Sequence, residues 1–115
     1  MTNTQHTRYH IDWKSVPDRA GVSGIPIKLV AGEYMQMTLV ELAAGFENQP
    51  HSHISEQMGY VLAGTIEYDI EGETITCHAG DGYRIPPNKR HSIKVVSDEP
   101  ARYLECFSPL RPEYP

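Results

Sequence analysis

Cysteine is scarce in this chain of 115 residues: only Cys77 and Cys106 occur. A disulfide framework is therefore not expected to hold the fold, and two thiols behind a polar N-terminus suit a reducing, cytosolic setting. No apolar h-region follows Met1, and no apolar run approaches the ~18 residues of a membrane span. Neither a secretory signal nor a membrane partner is expected. Positive charge is also short, with ten Lys and Arg against fifteen Asp and Glu for a net charge of −5. That balance offers no electrostatic footprint for phosphate backbones, so nucleic acid is a poor partner. Helical periodicity is missing as well. The one competing window, Tyr34–Ala44, alternates and carries β-branched residues, which argues for a strand.

What is present describes a folded domain. Hydrophobic residues make up 39% and charged residues 22%, a composition outside the disordered range. A chain of this length forms one domain that buries roughly two-thirds of its unfolded surface. Nine Gly and nine Pro cut it into short pieces. Residues 1–26 read as an N-terminal arm, with Trp13 and Val16 as its packing residues, and residues 27–115 as the domain. Glu33–Ala43 places Met35, Met37 and Leu39 on one parity and Tyr34, Gln36 and Thr38 on the other, the period-2 signal of a half-buried strand. Further strands are expected near Met58–Leu62, Thr65–Ile70, Thr74–Cys77, Tyr83–Ile85, His91–Val96 and Arg102–Phe107. Turns fall at Gly64, Glu71-Gly72, Gly80-Asp81-Gly82 and Pro86-Pro87-Asn88. Short strands with a turn every eight to twelve residues predict an all-β sandwich or barrel.

Six histidines are many for this length. His51 and His53 share a parity on extended chain, and Gln57 shares it too if the chain stays extended past Ser55. His91 starts a distant strand. Three imidazoles and one amide oxygen meeting inside a barrel would form a ligand set for a divalent metal. Taken alone, a His-x-His pair and a lone His91 are equally readable as ordinary surface or core histidines.

The surrounding residues add to this. Gly45, five residues, His51-Ser-His53, three residues, Gln57, six residues, Gly64 resembles the first cupin motif. Gly80, five residues, Pro86, then Asn88, two residues, His91 resembles the second. The resemblance implies a single-domain cupin jelly-roll β-barrel (a double-stranded β-helix) with a divalent metal on His51, His53, Gln57 and His91. Two departures stand out. Most such cupins carry Glu where Gln57 stands, and Gly where Asn88 stands. Asn tolerates the left-handed conformation. The amide at 57 brings no charge, which leaves the metal a stronger Lewis acid.

The last strand and its tail, Tyr103-Leu-Glu105-Cys-Phe107-Ser-Pro-Leu-Arg111, resemble the pectin-degradation (KdgF-like) group of cupins, which open 4,5-unsaturated uronates to linear keto sugars. The similarity runs from the Trp13 segment to Tyr114. It implies Glu105 as general acid–base, Arg111 as the grip on the uronate carboxylate and Phe107 as the stacking surface beneath the sugar. The acid in that group is Asp, and Glu105 is one methylene longer. Residues alone leave other roles open: a solvated Glu105, Phe107 and Tyr103 as plain core, and Arg111 tying down the tail through Glu113.

The expected function is therefore a metal-dependent cupin acting on a carboxylated sugar. The alternatives are a metal-dependent dioxygenase and a non-enzymatic small-molecule or sugar-binding protein. The donor set suits Zn, Ni, Fe and Mn alike. A homodimer is expected, with Leu62, Ile66, Tyr68 and Leu104 as candidates for an apolar outer face.

Overall fold

The computed structural model describes residues 9–21 and 24–112; His6, Glu113 and Tyr114 lie outside the described residues. A single turn of 3-10 helix, Trp13–Ser15, opens it, capped by Asp12, whose carboxylate accepts from the Lys14 N–H and the Ser15 hydroxyl. The strands follow in order: β1 Asp18–Ala20, β2 Pro26–Ala31, β3 Gln36–Leu42, β4 Glu56–Ala63, β5 Thr65–Ile70, β6 Glu73–His78, β7 Gly82–Ile85, β8 His91–Val95 and β9 Ala101–Ser108. No helix among the described residues is long and apolar enough to cross a membrane.

All strand pairings are antiparallel. A six-stranded sheet runs β1-β2-β3-β9-β4-β7, and a three-stranded sheet runs β6-β5-β8. The core lies between them. Val40, Val61, Tyr83, Ile85 and Tyr103 from the larger sheet pack on Ile66, Tyr68, Cys77 and Val95 from the smaller. β1 lies within the segment read as an arm and forms the edge of the larger sheet through Asp18↔Lys28, Arg19↔Ile27 and Ala20↔Pro26. Val16 is buried beside it, and Trp13 is half-buried.

The turns match the glycines and β3 to β9 the expected strands, whereas β1 and β2 have no counterpart among them. Glu71 (φ 54°) and Gly72 (φ 86°) make the two-residue turn between β5 and β6, the geometry that follows strand twist. Asn88 takes φ 65° in the Pro86-Pro87-Asn88 turn.

Two expectations are corrected. In β3 the inward parity is the polar one: Gln36 and Thr38 are buried with Val40 and Leu42, whereas Met37 and Leu39 are only half-buried. The reason is that β3 contributes to a polar interior cavity, so alternation correctly reports the pleat but not which face is inside. Ile66 and Tyr68 are buried in the core rather than on an outer face. Leu62 is exposed and Leu104 half-buried; Leu104 pairs across the sheet with Leu39 and with Tyr60.

Gly64 separates β4 from β5 at φ 77°, and an added Cβ would lie 2.7 Å from the Ala101 Cα and 2.8 Å from the Pro100 carbonyl oxygen. Gly72 has a similar φ of 86° but open space around it. Both Gly→Ala changes carry the left-handed cost of about 1 kcal/mol. Gly64→Ala should lose a further 1–3 kcal/mol, roughly, because backbone cannot yield as a side chain does. Urea unfolding of the two variants compares them directly, and equal losses would contradict this account.

Candidate metal centre and its cavity

The two histidine segments are joined by backbone. His51 and His91 form a bridge in which each N–H donates to the other's carbonyl, at 2.9 and 2.8 Å. The Asn88 N–H donates to the His53 carbonyl at 2.8 Å, so the left-handed turn before β8 also grips the second histidine. The ring centroids of His51 and His91 are 4.5 Å apart, those of His53 and His91 4.9 Å, and those of His51 and His53 5.8 Å. One ligand atom from each lies within 4.8 Å of the others.

The hydrogen bonds decide which atoms those are. His51 Nδ1 lies 3.3 Å from the Gln49 carbonyl, His53 Nδ1 2.8 Å from that of Ser55, and His91 Nδ1 2.8 Å from that of Lys89. A carbonyl can only accept, so each Nδ1 carries the proton and each Nε2 presents a lone pair. His91 Nε2 is buried with no hydrogen-bond partner. Burial, with Arg111 and His51, holds His53 below its usual pKa. Burial first, then His51, His53 and Arg111, pushes His91 down to about 4 against the Lys89 hydrogen bond. Both shifts favour the neutral ring at His53 and His91.

Gln57 shares the inward face, 7% exposed, and its neighbour Glu56 points out. Its Nε2 donates to Glu105 at 2.8 Å, which turns its Oε1 toward His53 Nε2 at 3.1 Å. Two lone pairs thus face each other beside a third, unpaired one. Such a buried arrangement is unfavourable unless a cation lies among them. The donor chemistry fits a divalent metal, which the three histidines could hold.

The second cluster centres on Glu105, 8% exposed. Its Oε1 accepts from the Tyr83 hydroxyl and from Gln57, and its Oε2 accepts from Thr38 Oγ1 at 3.2 Å. Burial raises the Glu105 pKa, opposed by those three donors and by Arg111. Burial and the Glu105 charge raise that of Tyr83 well above the ordinary phenol value. Arg111, buried, sets its guanidinium 5.1 Å from the centre of the Phe107 ring. Its own N–H donates to Gln36 Oε1 at 2.8 Å.

Both clusters open on one cavity, lined by His51, Gln57, His91, Glu105, Phe107 and Arg111, by Tyr68, Tyr83 and Tyr103, and by an apolar wall that includes Ile27, Val40 and Ile93. Of the C-terminal strand, the set Tyr103, Glu105 and Phe107 faces in. Tyr60 points away, 51% exposed. The sequence reading missed Thr38 and Gln36; their only signal was membership of the polar parity in an alternating strand. His78 is exposed at the end of β6, 3.6 Å from Asp81. Cys77 and Cys106 are unpaired thiols.

Metal binding to the folded protein should show as stability. A divalent ion at a hundredfold its Kd adds about 2.7 kcal/mol, read from thermal unfolding with and without Ni2+ or Zn2+. His91→Ala should erase that gain while the metal-free protein still unfolds cooperatively; an unchanged gain would rule out the cluster as the site.

Residues 38–107 match the Cupin_2 family, described as Cupin domain. Pectin degradation protein KdgF of Dickeya dadantii (strain 3937) is 34% identical over 109 residues, 93% of this chain and 97% of that protein. Polyketide synthase CurC of Streptomyces cyaneus is 38% identical over 78 residues, 67% of this chain and 51% of that protein. Among solved structures, KdgF from Halomonas sp. superposes with a TM-score of 0.69 at 28% identity, covering 76% of this chain and 82% of that one. An RmlC-like cupin from Shewanella frigidimarina NCIMB 400 superposes at 0.82 with 18% identity, over 97% and 100% of the two chains, a likeness of fold alone. A jelly-roll of this topology, a family match over more than half of the chain and a relative similar along nearly all of it agree: the protein belongs to the cupin family.

Proposed function

We propose that this cupin opens the ring of 4,5-unsaturated uronates, with a divalent metal on His51, His53, Gln57 and His91. What supports the reading is one observation above others. A buried carboxyl group, Glu105, shares a cavity with an arginine and with His51 and His91 of the three-histidine cluster, in a chain similar to a pectin degradation protein along most of its length.

The reaction is an isomerisation, so no atom is gained or lost. The substrate is an enol ether within a cyclic hemiacetal. Glu105, kept protonated more readily by burial, gives its proton to C4. The C1–O5 bond breaks, and its electrons remain on O5 as the C5 carbonyl forms. The C1 hydroxyl proton returns to the carboxylate as the aldehyde forms. One group thus serves as acid and then base. Arg111 pairs with the uronate carboxylate through its planar fork, and Phe107 lies beneath the sugar ring. When bound, the metal supplies positive charge that holds a substrate oxygen and polarises it.

Glu105→Gln keeps the shape and removes the transferable proton. It should lower turnover by about 10²–10⁴-fold with metal content unchanged. The assay follows loss of ultraviolet absorbance from the conjugated C4=C5 bond of an unsaturated uronate. No acceleration by the metal-loaded wild-type protein would refute the reading, and oxygen consumption with an enediol would replace it with the dioxygenase. Arg111→Lys should raise KM more than it lowers kcat, because a point charge replaces a two-pronged contact.

A further inference from the structure

The interior rows of the larger sheet place three residues side by side: Glu105 on β9, Gly59 on β4 and Tyr83 on β7. Strands lie ~4.8 Å apart, so Tyr83 and Glu105 are two strands from each other and would not ordinarily meet. Gly59 lies between them without a side chain. A Cβ there would come within 2.4 Å of the Tyr83 ring, which shows the ring lying across the glycine. Through that slot the Tyr83 hydroxyl reaches Glu105 Oε1. The same oxygen accepts from Gln57 Nε2 at 2.8 Å, and Tyr83 Oη is itself 3.5 Å from that Nε2.

An amide differs from a carboxylate in having a wrong way round. If Gln57 rotated by half a turn, its NH2 would face the imidazole lone pairs and its oxygen would face Glu105. We infer that Tyr83 and Glu105 act as a latch that fixes the Gln57 amide with its oxygen toward the three histidines. This rests on the reading of Gln57 as the fourth ligand. Glu105 is here a positioning residue for the metal centre, separately from any proton it moves, and Tyr83 positions Glu105. The latch also accounts for the amide itself: a carboxylate at 57 would set two acceptor oxygens of like charge against each other across β4 and β9.

The test separates orientation from charge. Glu105→Leu removes the acceptor and should weaken Co2+ binding about ten- to hundredfold, the usual cost of losing a group that orients a metal ligand. Its Co2+ absorption spectrum should resemble that of Gln57→Ala, the spectrum of a centre missing one ligand. Glu105→Gln keeps an acceptor oxygen for the Gln57 NH2, so its affinity should stay within about threefold of wild type, with the wild-type spectrum, even where turnover is lost. Tyr83→Phe still fills the Gly59 slot, and should weaken binding in the same direction by a smaller factor. If Gln57→Ala weakens binding tenfold or more while Glu105→Leu and Tyr83→Phe match wild type, the latch is wrong and the ligand stands. If Glu105→Gln falls as far as Glu105→Leu, charge rather than orientation acts, and the latch is again wrong. If Gln57→Ala binds Co2+ as wild type does, the ligand reading fails and the latch with it.

Discussion

Three imidazole lone pairs directed into one buried space is the arrangement on which the rest of this interior depends. It is achieved by giving away the other nitrogen of each ring. Every Nδ1 proton goes to a carbonyl two residues along the chain, at Gln49, Ser55 and Lys89. The tautomer is thereby set by local backbone. The mutual His51–His91 bridge and the Asn88 turn then bring the rings together. Left without a cation, the cluster would keep His91 Nε2 buried with no partner, a costly state.

The remaining polar groups of the cavity are there because each has somewhere to put its hydrogen bonds. Glu105 is tolerated at the centre of a six-stranded sheet because Thr38, Gln57 and Tyr83 donate to it and Arg111 supplies charge nearby. Gln36 is buried on the same face and takes the Arg111 N–H, which seats the segment after β9. Ser108 donates its hydroxyl to the Tyr34 carbonyl at 3.0 Å on the way. This segment therefore carries Arg111 to the cavity, over Phe107. A tail with no periodicity of its own is placed by two hydrogen bonds to β3 and the residues just before it.

Gln57, where most cupins carry Glu, and Glu105 are not independent in this light. They touch each other across neighbouring strands. An acid with the reach of Glu meets the amide of the residue beside it, and an amide there accepts that company where a second carboxylate would not. Gly59 completes the set by letting Tyr83 lie across the strand between them. Gln57, Gly59, Tyr83 and Glu105 thus become one unit in the fold.

Local rules made much of this legible. Period-2 alternation, the Glu71-Gly72 turn and the left-handed tolerance of Asn88 located strands and turns, because each is decided within a few residues. The parity of His51, His53 and Gln57, and the cupin-like spacing around them and around His91, pointed to one cluster. Which side of β3 faced inward was not legible, since Gln36 and Thr38 find their partners, Arg111 and Glu105, far along the chain. Nor was the contact of Tyr83 with Glu105, which exists because β9 enters between β3 and β4 and Gly59 leaves a gap there. The chain by itself settled where it bends and which residues share a face. The tertiary structure alone settled which face met which, because strand order in a sheet is chosen by contacts between segments far apart along the backbone.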